Sequence, residues 1–317
     1  MSEVALRKRD VGIDLCKAIL ITLVVLGHAI QYSGDGTASP LFRFIYSFHM
    51  AAFMMVSGFV GFNKPLALKS VVKKLKRLLI PFFAWWLLCS LIFVLPKQGL
   101  IGLSDSFVSL LTCPATGLWF FWDLSFLILM LWGIQVLSRY IRVNETLTFV
   151  ALWGILEAIS KTLGLVHFNI SSIARYMPFF MIGYLLSKRK RIFAPNKRMG
   201  IFLSVLVVLF ISLECVYMVS KNIPGAGVAL SLLGSICLLG VCTNVCDSVS
   251  RFSAGISFLG ANTLGIYAIH MSMCRYLPGI VNGWGVIVCF VVLMVASLSA
   301  TELIGRCSFL RALLLGR

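Results

Sequence analysis

The chain has 317 residues, of which 60% are hydrophobic and 12% are charged, and its mean hydropathy is +0.98. Because soluble domains carry about 25% charged residues, this composition excludes an ordinary soluble protein and predicts an all-α, polytopic membrane protein. The net charge of +17 does not indicate a nucleic-acid partner, since the basic residues form short clusters between apolar segments, as cytoplasmic loops do.

Apolar segments separated by turn residues and basic clusters predict about ten transmembrane helices in a single membrane domain, residues 1–317. Each segment approaches or exceeds the roughly 20 residues that cross a bilayer. Between them, residues 97–116 are predicted to form a loop, and residues 305–317 a short basic tail. The predicted helices are 13–32, 42–62, 79–96, 117–137, 146–163, 171–187, 199–219, 226–246, 255–274 and 285–304.

The distribution of basic residues predicts the orientation of these helices. With ten spans, 22 of the 28 Lys and Arg residues fall on the side of the N terminus and 6 fall on the other side. This asymmetry is the one that cytoplasmic loops show. Both termini are therefore predicted to be cytoplasmic.

The first predicted helix contains three ionisable residues, Asp14, Lys17 and His28. Such residues are costly inside a bilayer, so they indicate a functional site. Lys17 and His28 are about three helical turns apart and share one face, with roughly 16 Å between them along the axis. Asp14 lies close to the same face. The predicted orientation places Lys17 near the cytoplasm and His28 in the outer half of the membrane.

Three further polar residues fall on the outward side in this topology. His49 opens the second predicted helix, His270 is near the end of the ninth, and Asp123 is in the fourth. A hydrogen bond to a neighbouring helix accounts equally well for His49 and His270. The sequence alone therefore leaves their role open.

This arrangement suits an enzyme that joins an anionic donor from the cytoplasm to an acceptor deeper in the membrane. Lys17, Lys76 and Arg77 would bind the phosphate groups of a carrier such as coenzyme A. His28 has the chemistry of a base that deprotonates a sugar hydroxyl as it attacks a thioester. Asp14 would orient Lys17 or offset its charge, and it is a catalytic candidate beside His28. The sequence contains no Gly-x-Ser-x-Gly motif, which favours direct transfer over a covalent serine intermediate.

A transporter or flippase for a small polar molecule or a lipid-linked sugar is the main alternative, since intramembrane charges suit that class too. Against it, no pair of interrupted helices recurs in two matching halves. A non-catalytic scaffold of a glycan-synthesis complex would not need Lys17 and His28 on one face. The enzyme is the favoured interpretation.

Five segments in chain order form a recognisable set: IDLCKAILITLVVLGHAI, FIYSFHMAAFMMVSGFV, KRLLIPFFAWW, GLWFFWDLSFLILM and NTLGIYAIH. Together they resemble the acyltransferase-3 family of integral membrane O-acyltransferases, and in particular its fucose-4-O-acetylase-like branch. The first segment matches the family pattern of a basic residue, ten positions and a histidine, with Lys17 where many members have Arg. Ala51 stands where Pro is common, and the acidic WSLxxE element of another branch is not matched, since Asp123 is no clear substitute for its acid.

The resemblance implies a bacterial inner-membrane enzyme that moves an acetyl or other short acyl group from acyl-coenzyme A to a sugar hydroxyl of a surface glycan or its lipid-linked precursor. By matched position, His28 would be catalytic, Lys17 would belong to the donor path, and Lys76 and Arg77 would help to hold the donor. Further candidates are His49, Ser57, Asp123 and His270.

The expected partners are acyl-coenzyme A as donor substrate, the glycan or lipid-linked acceptor, and the lipid bilayer. The ten cysteines show no CxxC pair and no metal-ligand spacing, so neither a disulfide framework nor a metal site is predicted. No permanently bound cofactor and no nucleic acid are expected, and a homo-oligomer is compatible with the sequence.

Overall fold

A computed structural model of the protein describes residues 10–32, 36–62, 65–114, 118–162, 167–189, 193, 196–220, 225–245, 253–276 and 285–317. Across these ranges the secondary structure is helical, without a β-strand, which confirms the all-α prediction. The helices are α1 (Val11–Tyr32), α2 (Pro40–Phe59), α3 (Leu68–Cys89), α4 (Leu95–Thr112), α5 (Trp119–Ile141), α6 (Glu145–Thr162), α7 (Ile170–Ser187), α8 (Lys197–Ser220), α9 (Ala226–Asn244), α10 (Ser253–Tyr276), α11 (Val286–Arg306) and α12 (Ser308–Leu315).

Seven helical segments in the described ranges are long and apolar enough to cross a membrane, judged by length and composition. These are α1, α2, the continuous segment from α3 to α4, α5, α8, α9 and α11. The protein is accordingly a multi-pass membrane protein.

Residues 97–116 do not form the predicted loop, because most of them belong to α4. A π-helical turn continues α3 into α4, and α4 bends at Gly99, whose φ of +64° and ψ of −160° are not helical. α4 then packs back on the end of α3, where Trp86 Nε1 donates a hydrogen bond to Ser106 Oγ at 3.0 Å. The glycines and the proline of this stretch suggest a loop locally, whereas its helical form depends on this packing.

The predicted tail is also helical, since α12 follows α11 almost directly. α12 packs against α3 and α11 and buries Leu314 and Leu315. A helix of eight residues is marginal in isolation, so its stability comes from these contacts. A local sequence pattern therefore does not reveal it.

α1 occupies the centre of the bundle, in contact with α2, α9, α10 and α11. Asp14 of α1 packs on Gly260 of α10, and at the other end His28 meets His270. α1 and α10 are therefore parallel. We call the end that contains Asp14 the basic end and the end that contains His28 the histidine end.

The closest helix crossing joins α2 to α7. A Cβ atom at Gly58 would overlap the carbonyl oxygen of Phe180, and one at Gly183 would overlap that of Met55. Small residues at such crossings let helix backbones approach within a membrane. This contact fixes α2, and with it His49, in the bundle.

Candidate active site

His28, His49 and His270 come together from three helices at the histidine end. The ring centroids of His28 and His270 are 5.4 Å apart, and the Tyr46 ring lies 6.3 Å from His28 and 4.6 Å from His49. The Tyr267 ring lies 5.8 Å from His270. We call these five residues the histidine cluster.

Helical periodicity explains how α2 and α10 contribute to this cluster. Tyr46 and His49 are three positions apart, as are Tyr267 and His270, so each pair occupies one helix face. Both faces turn towards α1. The repeated Tyr-x-x-His spacing was visible in the sequence and could have pointed to both tyrosines.

His28 is half-buried and is held by two side chains. Its Nδ1 lies 3.2 Å from Gln31 Oε1 and 3.5 Å from the Tyr46 hydroxyl. With Gln31 Oε1 as the acceptor, Nδ1 is the donor and Nε2 carries the lone pair of the neutral ring. Gln31, Tyr46 and Tyr32 surround the accessible side of this ring, and Gln31 is exposed.

His49 and His270 have the same tautomer but are deeply buried. Their Nδ1 atoms lie 2.7 Å and 2.8 Å, respectively, from the backbone carbonyl oxygen four residues earlier. Their exposed fractions are 2% and 0%. Among the described residues no hydrogen-bond partner reaches His270 Nε2, and no group of three or more His, Cys, Asp or Glu could hold a metal ion.

Asp14 and Lys17 lie at the basic end of α1, away from the histidine cluster. Asp14 is buried, and a Cβ atom added to Gly260 would lie 2.8 Å from the Cβ atom of Asp14. Asp14 is separated from His28 by roughly 21 Å along the helix axis. The two side chains therefore cannot act on the same atom. Lys17 is half-buried and lies one turn closer to His28.

Lys76 and Arg77 border an open groove of about 350 Å³ at the basic end. Both are exposed on α3, and Arg77 Nε donates a hydrogen bond to Gly316 O at 2.9 Å. The groove collects five basic side chains: Lys69, Lys73, Lys76, Arg77 and Arg317. Arg317 was not a candidate in the sequence, because nothing local connects it with α3.

A small apolar cavity of about 20 Å³ separates the two ends. Val24 and Tyr267, one turn from His28 and His270 respectively, line it on the side of the histidine cluster, and Thr263 lines it on the side of the basic end. The rest of the wall is formed by Met50 and Phe53 of α2, Phe120 of α5 and Leu264 of α10. The cavity thus lies on the line from Lys17 to His28.

The side-chain hydrogen bonds of Asp123 go to residues outside the histidine cluster, and Ser57 lies further along α2. Asp123 is fully buried, and its two oxygens accept hydrogen bonds from Asn169 Nδ2 at 2.7 Å and Ser172 Oγ at 2.6 Å. It thereby ties α5 to the start of α7. Ser57 is half-buried beside the crossing of α2 and α7, roughly 12 Å along α2 from His49.

Comparisons with known proteins agree with the resemblance seen in the sequence. The family model Acyl_transf_3, described as an acyltransferase domain, matches residues 10–304. The nodulation protein NolL of Mesorhizobium japonicum is 32% identical over 195 residues, which cover 57% of this chain and 48% of the relative. NolL of Sinorhizobium fredii is 32% identical over 190 residues, covering 57% and 49%. The chain spans about half the length of these curated relatives, and no solved structure matches it.

Proposed function

Because this chain belongs to the acyltransferase-3 family, we propose that it is an integral membrane O-acyltransferase. It transfers an acetyl or other short acyl group from acyl-coenzyme A to a sugar hydroxyl of a bacterial surface glycan or of its lipid-linked precursor. The proposal rests chiefly on one arrangement: the accessible imidazole of His28 has a free Nε2 and shares a helix with Lys17 at the basic end.

In this proposal His28 is the general base. Its Nε2 takes the proton of the sugar hydroxyl as the hydroxyl oxygen attacks the thioester carbonyl. The new carbon–oxygen bond forms, the carbon–sulfur bond breaks, and His28 returns the proton to the departing thiolate. Tyr46 and Tyr32, at the accessible side of the ring, suit contact with a sugar, since an aromatic side chain offers an apolar face and a polar tip.

The donor enters from the basic end. Lys17, Lys76 and Arg77 bind its phosphate groups through charge-assisted hydrogen bonds. Asp14, one turn below Lys17, offsets part of the lysine charge, so it serves the donor site through Lys17. Its distance from His28 assigns it to the donor rather than to the hydroxyl.

The thioester arm reaches His28 along the line marked by the apolar cavity between the two ends. The volume of about 20 Å³ is below that of an acyl arm, so side chains move as the donor enters. Met50 in the cavity wall is unbranched and adapts readily to a new shape.

The proposed topology has ten membrane-spanning helices in one domain, with both termini in the cytoplasm of a bacterium whose inner membrane holds the protein. α1–α3 and α5–α11 are the ten spans, while α4 and α12 return along α3. The charge asymmetry of 22 to 6 supports this orientation. Reporter fusions at the C terminus test it, and a periplasmic C terminus would contradict it.

Mass spectrometry of the surface glycans of cells with and without the protein tests the function. We expect a glycan mass difference equal to one acyl group. In parallel, acetyl-coenzyme A should raise the melting temperature of the purified protein, since a ligand that binds the folded state stabilises it. Identical glycan spectra together with an unchanged melting temperature would refute the proposal.

A further inference from the structure

The C-terminal segment Ala312–Arg317 packs along α3, from its middle towards its end. Trp85 Nε1 donates a hydrogen bond to Leu314 O at 3.0 Å, and Arg77 Nε donates one to Gly316 O at 2.9 Å. Both contacts join residues more than two hundred positions apart. They make this segment the second wall of the groove that Lys76 and Arg77 border.

Gly316 makes this close approach feasible. Its φ is +66°, in the left-handed region that glycine adopts without penalty. A Cβ atom there would overlap the carbonyl oxygen of Arg77. The position therefore needs glycine for two independent reasons, and the segment has a defined place on α3.

Arg317 connects the groove with the donor end of α1. Its Nη1 donates a hydrogen bond to Asn262 Oδ1 at 2.9 Å, and Asn262 lies two residues beyond Gly260, which packs on Asp14. The Arg317 end of the groove therefore lies on α10, at the end of that helix that also contacts the basic end of α1.

The charge pattern of the groove favours a polyanion. Lys69, Lys73 and Arg77 follow one another at four-residue spacing on an exposed face of α3, and like charges at this spacing repel and destabilise a helix. Arg317 brings a further positive charge to the same groove, whose lining includes no Asp or Glu among the described residues. A bound anion with several charges removes this repulsion.

We propose that Ala312–Arg317 completes a binding site for the nucleotide phosphates of the donor, in which Arg317 and Lys73 face each other across the groove. Arg offers a planar fork that binds phosphate bidentately, and Lys a point charge. The volume of about 350 Å³ falls within the range of small-molecule sites, about 300–1,000 Å³. This assignment rests on the proposed function and names a part of the donor site that includes neither Lys17 nor His28.

The test uses the full 317-residue chain in nanodiscs of neutral lipid, with the dissociation constants of acetyl-coenzyme A and acetyl-phosphopantetheine measured by calorimetry. Arg317→Gln should raise the constant for acetyl-coenzyme A about tenfold, as the loss of one charge-assisted contact does. The dissociation constant for acetyl-phosphopantetheine, which lacks the nucleotide, should not change. Arg311→Gln is the matched control, because it removes the same charge from exposed α12 outside the groove.

Each outcome bears on the proposal. If wild-type protein binds acetyl-coenzyme A and Arg317→Gln binds it equally well, the groove assignment is wrong while the enzymatic function stands. If Arg311→Gln weakens binding of acetyl-coenzyme A to the same extent, the effect comes from the net charge of the protein, and the assignment is wrong. Loss of anionic-lipid binding in native mass spectra of Arg317→Gln, with donor affinity unchanged, would make the groove a headgroup site instead. No binding of acetyl-coenzyme A by wild-type protein would refute the proposed function itself.

Discussion

The imidazole rings of His28 and His270 lie 5.4 Å apart, although their helices come from opposite ends of the chain. His270 is fully buried, and within the described ranges its Nε2 lacks a hydrogen-bond donor. A buried hydrogen-bond acceptor without a donor lowers the free energy of unfolding by about 1–3 kcal/mol. In the proposed mechanism, His270 Nε2 would accept a hydrogen bond from the acceptor hydroxyl or from His28 once that ring has taken a proton.

His28→Ala is expected to lower the rate of acyl transfer by a factor of about 10²–10⁴, because general-base catalysis contributes that much. The ring is half-buried, so the variant should remain folded and inserted. The measurement is the rate of transfer from labelled acetyl-coenzyme A by purified protein, with the melting temperature as the control for folding. An alanine variant that works at the wild-type rate would remove His28 from the mechanism.

His270→Leu distinguishes a functional from a structural role for this residue. Replacing an acceptor that lacks a donor by an apolar side chain of similar size should leave the melting temperature unchanged or raise it. If His270 assists the transfer, kcat should still fall about tenfold to a hundredfold while donor affinity is retained. A variant that loses stability but retains kcat would show that His270 is a packing residue.

Gln31 is predicted to be a positioning residue that holds the His28 tautomer through the 3.2 Å contact with Nδ1. Gln31→Leu should lower kcat about tenfold, since one neutral hydrogen bond is worth about 0.5–1.5 kcal/mol, and should not change the affinity for acetyl-coenzyme A. Gln31→Glu retains an acceptor for Nδ1–H and should retain activity. Equal rates for the Leu variant and wild type would argue against this role.

Lys17→Ala should weaken binding of acetyl-coenzyme A about tenfold, because it removes one charge-assisted contact to phosphate. Lys161→Ala is the control, since Lys161 is exposed on α6 and pairs with Glu157 at 3.6 Å. Calorimetry in neutral nanodiscs gives both constants. Unchanged donor affinity in Lys17→Ala would exclude Lys17 from the donor path.

Gly58→Ala and Gly183→Ala should each destabilise the protein, because an added methyl group would overlap a backbone carbonyl of the partner helix. Overpacking of this kind costs about 1–3 kcal/mol. Gly133→Ala and Gly154→Ala are matched controls, since no atom lies within 4 Å of an added Cβ there, and they should raise stability by up to about 1 kcal/mol. Thermal unfolding of the four variants tests the crossing of α2 and α7. Equal melting temperatures for all four variants would refute it.

Several properties follow from local features of the sequence. Apolar segment length determines that helices cross the membrane, and the helical period alone places Lys17 and His28 on one face. The same period places Tyr46 beside His49 and Tyr267 beside His270. None of these properties depends on how the helices pack, so the order of residues along the chain is sufficient to predict them.

Only the tertiary structure decided which faces meet. In a membrane the lipid is as apolar as the protein interior, so no contrast of hydrophobic and polar faces indicates which side of a helix turns inward. For this reason the sequence could not pair His28 with His270, find the hydrogen-bond partners of Asp123, or detect the helical form of α4 and α12. The approach of Arg317 to Asn262 and of Gly316 to Arg77 likewise depends on packing between distant parts of the chain. Length, period and charge determined a membrane protein with a polar face on its first helix, and packing made that face one side of the candidate active site.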